Sequence, residues 1–104
     1  MAESDTPHFN VALNGDVIVA HGDIDMASGP MLDAAIQELE SRGPVVLDMT
    51  HVEFVDSSGL RSLLAASQRA RLADRTVTLR GVGPEVARLL EITGTTELFE
   101  IEQR

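Results

Sequence analysis

The run Asp56-Ser57-Ser58-Gly59 sets a carboxylate beside two hydroxyls and a glycine, after the apolar approach Val52-Glu53-Phe54-Val55 and before a helical apolar pattern. Hydroxyls and an acid at a helix start admit two kinds of chemistry. One is capping, in which side-chain oxygens accept the first-turn N–H groups that have no partner inside the helix. The other is phosphate acceptance, since a phosphoserine there would meet free N–H groups and the positive end of the helix dipole. The two are compatible. A second acidic segment, Gly22-Asp23-Ile24-Asp25, places two carboxylates ahead of another helix. In an extended stretch Asp23 and Asp25 need not converge, so capping or first-turn dipole compensation by Asp25 is a better reading than a metal pair.

Other constellations fall away on spacing. His8, His21 and His51 lack the short spacing of a local metal motif and are expected to be satisfied or solvent-facing, so no metal or cofactor is expected. A nucleophile elbow needs glycine two residues before its serine, where this chain has Val55 before Ser57. Gly81-Val82-Gly83 opens like a dinucleotide loop, but Val86 stands at the third glycine position, leaving a plain turn with Pro84 as the first residue of a helix. Arg61, Arg69, Arg71 and Arg75 form a basic stripe whose expected role is a solvated helix face.

Composition narrows the classes further. The chain has 104 residues, the size of one domain. Eight basic residues, all Arg, against seventeen acidic ones give a formal charge of -9, which repels phosphate backbones and anionic lipid. Nucleic acid and membrane are therefore not expected as partners. The absence of Cys removes thiolate metal sites and cysteine nucleophiles, and the absence of Lys removes Walker A and Schiff-base chemistry, so those enzyme classes are excluded as this chain's own activity. Met1 to Pro7 is polar and acidic, unlike a secretory signal, and a cytoplasmic protein is expected.

The elements that must position these residues follow from periodicity. Residues 1–7 read as a flexible N-terminal arm and 8–104 as a single domain. Phe9, Val11 and Leu13 alternate, Asn14-Gly15 offers a two-residue hairpin turn, and Val17 to Ala20 resumes the strand. Leu32, Ala35, Ile36 and Leu39 mark a helix over about Ala27 to Arg42, stopped by Gly43-Pro44. Val45-Val46-Leu47 is the continuous run of a strand covered on both faces, with a turn region from His51 to Asp56. Leu60, Leu63, Leu64 and Ser67 define a second helix, Thr76 to Leu79 a strand, and Val86, Leu89, Leu90 and Thr93 a third helix ending at Gly94. Leu98 to Ile101 is a last strand. The order β-β-α-β-α-β-α-β predicts an α/β fold: a mixed sheet opened by an N-terminal hairpin and packed with about three helices on at least one face.

Asp56-Ser57-Ser58-Gly59-Leu60, preceded by Val52 and Phe54, resembles the signature of the STAS domain family, in particular its stand-alone bacterial anti-sigma factor antagonists. Gly22-Asp23-Ile24-Asp25 is similar to that family's segment before helix 1, and the likeness covers about residues 8 to 101. The resemblance implies a regulatory protein that binds an anti-sigma factor, itself a Ser/Thr kinase, and so frees a sigma factor. It also implies that phosphorylation of Ser57 blocks the binding and that a phosphatase restores it, so the chain is expected to be a kinase substrate and not an enzyme. Asp23, Asp56, Ser57, Ser58 and Gly59 then form the partner-binding set, with no catalytic residue and no cofactor. The family commonly adds a C-terminal helix, for which the run Phe99 to Arg104 offers no counterpart. The competing expectations are a STAS domain that binds a nucleotide or other anion at the start of helix 2, or one that serves as a scaffold.

Overall fold

A computed structural model describes residues 9–102; the arm expected over 1–7 lies outside them, as does His8. The elements are β1 (Asn10–Asn14), β2 (Val17–His21), α1 (Gly29–Glu40), β3 (Val46–His51), α2 (Ser57–Leu72), β4 (Thr78–Arg80), α3 (Pro84–Thr93) and β5 (Glu100–Glu102), with a short 3-10 turn at Thr96–Leu98. This is the predicted order. The sheet runs β1-β2-β3-β4-β5, antiparallel only between β1 and β2. Right-handed crossovers that all step the same way along a sheet put their helices on one side. Burial agrees: Ile18, Ala20, Leu47, Met49 and Leu79 are fully buried, whereas Val17, Val19, Val46, Asp48, Thr78 and Arg80 on the opposite face are half-exposed.

That one-sidedness corrects the expectation that the Val45-Val46-Leu47 strand is covered on both faces. Val45 precedes the strand and is buried, but Val46 faces the open side. The strand also runs past Leu47 to His51, because Asp48 and Thr50 alternate with Leu47 and Met49, as a half-covered strand requires. Asp48 accepts from the Thr50 N–H at 2.9 Å and from its hydroxyl at 2.6 Å. The hairpin turn is displaced by one residue from the expected Asn14-Gly15. Asn14 pairs with Val17, so Gly15-Asp16 form the turn, with Gly15 alone at positive φ (67°). The register that pairs Leu13 with Ile18 and Val11 with Ala20 keeps the apolar set on the helix side.

Helix boundaries follow their local chemistry. Pro84 begins α3, and Gly94 closes it in the left-handed conformation at φ 70°, as expected. The basic stripe is not uniformly solvated. Arg61 and Arg71 are exposed, but Arg69 is half-buried, its Nε 3.0 Å from both Glu40 carboxylate oxygens and its Nη2 2.8 Å from Asp33. Desolvation pulls the Arg69 guanidinium down, but the hydrogen bonds it donates to Asp33 and Glu40, with their charges, hold it above its ordinary pKa. This ion pair ties α2 to α1, while the close approach of the helices is marked by Gly29, where a Cβ would stand 2.7 Å from Ser62 Oγ. No helix among the described residues is long and apolar enough to cross a membrane.

Candidate functional site

The two acidic segments leave the C-terminal ends of the parallel strands β2 and β3, where the crevices of open α/β sheets form. A parallel bridge between Ile24 and Val55 zips them together. The Ile24 N–H donates to the Phe54 carbonyl at 3.0 Å, and the Asp56 N–H donates to the Ile24 carbonyl at 3.1 Å. Asp23, one residue before the bridge, and Asp56 and Ser57, just after it, therefore share one edge of the molecule. Asp23 and Ser57 are exposed, Asp56 and Ser58 half-buried, and Gly59 buried.

Each carboxylate has a distinct task. Asp56 sits in extended backbone at the N-cap of α2, and its Oδ1 accepts from the Gly59 N–H at 2.8 Å, so the capping reading holds. Ser57 and Ser58 are the first two helical residues, whose N–H groups have no carbonyl one turn earlier inside the helix. Asp25 is likewise a cap. It accepts from the N–H groups of Ala27 and Ser28 at 3.0 Å each, and the Gly29 N–H donates to its carbonyl at 2.7 Å, extending α1 backward by a turn. Those bonds, with Ser28 foremost, hold the Asp25 carboxyl below its ordinary pKa. Asp25 is thus spoken for by backbone, and only Asp23 of the acidic pair has its side chain outward.

Two residues that sequence reasoning passed over hold this edge in shape. Ser28 is buried at 4% exposure; its hydroxyl donates to the Asp23 carbonyl at 2.7 Å and accepts from the Asp25 N–H at 2.9 Å. Ile24 is fully buried, and its backbone lies against Gly59 so closely that a Cβ there would stand 2.6 Å from the Ile24 carbonyl carbon and closer still to its oxygen. The signal for that contact is a glycine inside the first turn of a helix, where alanine is favoured by about 1 kcal/mol unless something approaches the backbone.

His21 and His51 terminate the two strands and stack with ring centroids 4.4 Å apart and planes 6° from parallel. His51 is exposed as expected, but the buried Nδ1 of His21 has no hydrogen-bond partner among the described residues, contrary to the expectation of a satisfied ring. The adjacent Gly22 N–H donates to the His51 carbonyl at 3.1 Å, continuing the strand pairing into the loops. Around the edge, Phe54 (54% exposed) and Met26 (75% exposed) present large apolar side chains to solvent. These apolar side chains border an edge on which Ser57, the first residue of α2, is exposed.

Residues 9–104 match the STAS domain family. An anti-sigma-B factor antagonist of Listeria monocytogenes is 32% identical over 102 residues, covering 96% of this chain and 83% of that protein. Among solved structures, an anti-sigma factor antagonist from Mycobacterium paratuberculosis superposes with a TM-score of 0.67 at 29% identity, over 90% of this chain and 83% of that one. The Bacillus cell fate determinant SpoIIAA, solved in its phosphorylated form, shares the fold with a TM-score of 0.66 at 16% identity, over 92% of this chain and 90% of its own.

Proposed function

The chain belongs to the STAS domain family, and from that premise we propose that it is an anti-sigma factor antagonist. In this reading it binds an anti-sigma factor that is also a Ser/Thr kinase, and is switched off by phosphorylation of Ser57. A phosphatase acting on phosphorylated Ser57 restores binding, and the cycle controls sigma-factor-dependent transcription in the cytoplasm without catalysis by this chain. The observation that carries the reading is the exposed Ser57 hydroxyl at the first position of α2, on the edge it shares with Asp23. Asp23, Asp56, Ser57, Ser58 and Gly59 form the docking edge, and the relatives' names supply the class of partner.

Physical chemistry supports a switch that needs no refolding. Phosphate on Ser57 adds roughly -1.5 to -2 charges and three acceptor oxygens. At the start of α2 it gains about 0.3 to 1 kcal/mol from the helix dipole, so the fold tolerates it. At a protein interface the same group must be desolvated beside Asp56, on a chain of net charge -9. A net loss of about 2.8 kcal/mol there lowers affinity roughly 100-fold.

The test is binding of wild type, Ser57→Ala and Ser57→Asp to the anti-sigma partner, captured from the source cell's lysate and then titrated as purified protein. Wild type and Ser57→Ala are expected to bind alike, and Ser57→Asp to lose affinity by one to two orders of magnitude, on the order of 1.4 to 2.8 kcal/mol. Equal binding by all three refutes the switch.

A further inference from the structure

At the end of the molecule away from Ser57, the C-terminal halves of α1 and α2 and the start of β4 enclose an open groove of about 350 Å³. Ala70 on its wall lies thirteen residues along α2 from Ser57, a distance of about 20 Å at 1.5 Å per residue. The groove is largely apolar: Val45, Ala66 and Val77 are buried beneath it, and Pro44, Ala70 and Ala73 leave apolar surface open along its walls. Two guanidiniums stand at the rim, and their situations differ. Arg69 is matched by Glu40 and Asp33. Arg75, half-buried, donates Nη1 to the Glu40 backbone carbonyl at 2.7 Å and has no carboxylate within ion-pair distance among the described residues.

From this pairing of an apolar floor with an unmatched half-buried cation, we infer that the groove is a binding site for a small carboxylate with a compact apolar body. Its volume of about 350 Å³ lies at the small end of small-molecule sites, which span roughly 300 to 1,000 Å³, and suits a compact ligand. The carboxylate meets the remaining donors of Arg75 in a charge-assisted hydrogen bond, and the alkyl or aryl body covers the open apolar surface of Pro44, Ala70 and Ala73. The several charges of a nucleotide do not suit a groove with one unmatched cation. Glu40, the acidic residue that lines the groove, is paired with Arg69, and at physiological salt charges beyond about 8 Å are largely screened. The site stands independently of the reading of Ser57, which lies at the other end of α2.

The experiment is an NMR titration of the full chain with octanoate, alongside octanol for the body without the charge and acetate for the charge without the body. Octanoate is expected to give saturable amide shifts at Ala66, Ala70 and Val77 at millimolar concentration, with far weaker responses to the other two. Arg75→Gln is expected to weaken octanoate roughly tenfold, and Ala70→Leu, which puts a branched side chain on the groove wall, to weaken it by at least roughly tenfold. Spectra of both variants that match wild type away from the groove certify their fold, and Ala70→Leu carries the test alone should Arg75→Gln fail to fold. No saturable shift, shifts mapping elsewhere, or a response indifferent to Ala70→Leu overturns the inference.

Discussion

Replacing Gly59 by alanine sets two effects against each other, and their sizes decide the outcome. Alanine inside a helix is favoured over glycine by about 1 kcal/mol, so the isolated segment gains. In the folded chain the new methyl falls inside the contact radius of the Ile24 carbonyl oxygen and 2.6 Å from its carbon. Ile24 cannot retreat freely, since its N–H is bonded to the Phe54 carbonyl at 3.0 Å and its carbonyl accepts from Asp56 at 3.1 Å. Overpacking costs roughly 1 to 3 kcal/mol, and weakening the two backbone bonds about 1 kcal/mol each. The net expectation is a loss of about 3 kcal/mol after the propensity gain is subtracted. Urea unfolding followed by circular dichroism reads this directly: with a slope near 1.5 kcal/mol per M, the midpoint falls by about 2 M at constant slope. Ser57→Ala, at an exposed neighbouring position, serves as control and is expected to stay within about 0.5 kcal/mol of wild type. A midpoint for Gly59→Ala at or above wild type would show that α2 does not press on Ile24, and the account of how the edge is built would fail with it.

Two further outcomes follow from the same edge. Ser28→Ala leaves the Asp23 carbonyl and the Asp25 N–H without their buried partner, and a loss of about 1 to 3 kcal/mol in urea unfolding is expected, with faster amide exchange at Asp25 as the local signature. Asp25→Asn tests the depressed carboxyl. Because the folded pKa lies below the ordinary 3.8, the charged form stabilises the fold above that value, and the benefit is lost as pH falls through the folded pKa. The stability gap between wild type and Asp25→Asn is therefore expected to be full at pH 7 and to close below pH 3.8, and a gap that is constant with pH contradicts the cap.

What was legible in the sequence was local. Asp56 and Asp25 read as caps because an acid ahead of an apolar helical pattern answers a need within four residues, and Pro84 and Gly94 bracket α3 for equally short-range reasons. What was not legible depended on partners far along the chain. Asn14-Gly15 is a good turn by itself, but the register that pairs Leu13 with Ile18 and Val11 with Ala20 moved the turn to Gly15-Asp16. Arg69 sits among arginines on a polar helix face, and nothing near it in sequence says that Asp33 and Glu40 of α1 stand opposite. The open face of the sheet is likewise a property of crossover direction, which a run such as Val45-Val46-Leu47 does not encode.

The division of labour among the acids bears on why Ser57, and not its neighbours, suits a switch. Asp25 and Asp56 are both committed to helix N–H groups, so neither can leave its place without loosening a helix start. Gly59 and Ile24 fix the separation of the two loops by direct backbone contact, which leaves the edge little freedom to rearrange around an added group. Ser58 is half-buried behind that contact, whereas Ser57 projects from the first helical position into solvent. On the proposed function, a phosphate placed there changes the charge of the docking edge while the scaffold beneath stays as it is. On this argument the phosphorylated and free forms differ in what they can bind far more than in how they fold, and amide exchange in the core strands β2 and β3 is expected to be the same in both.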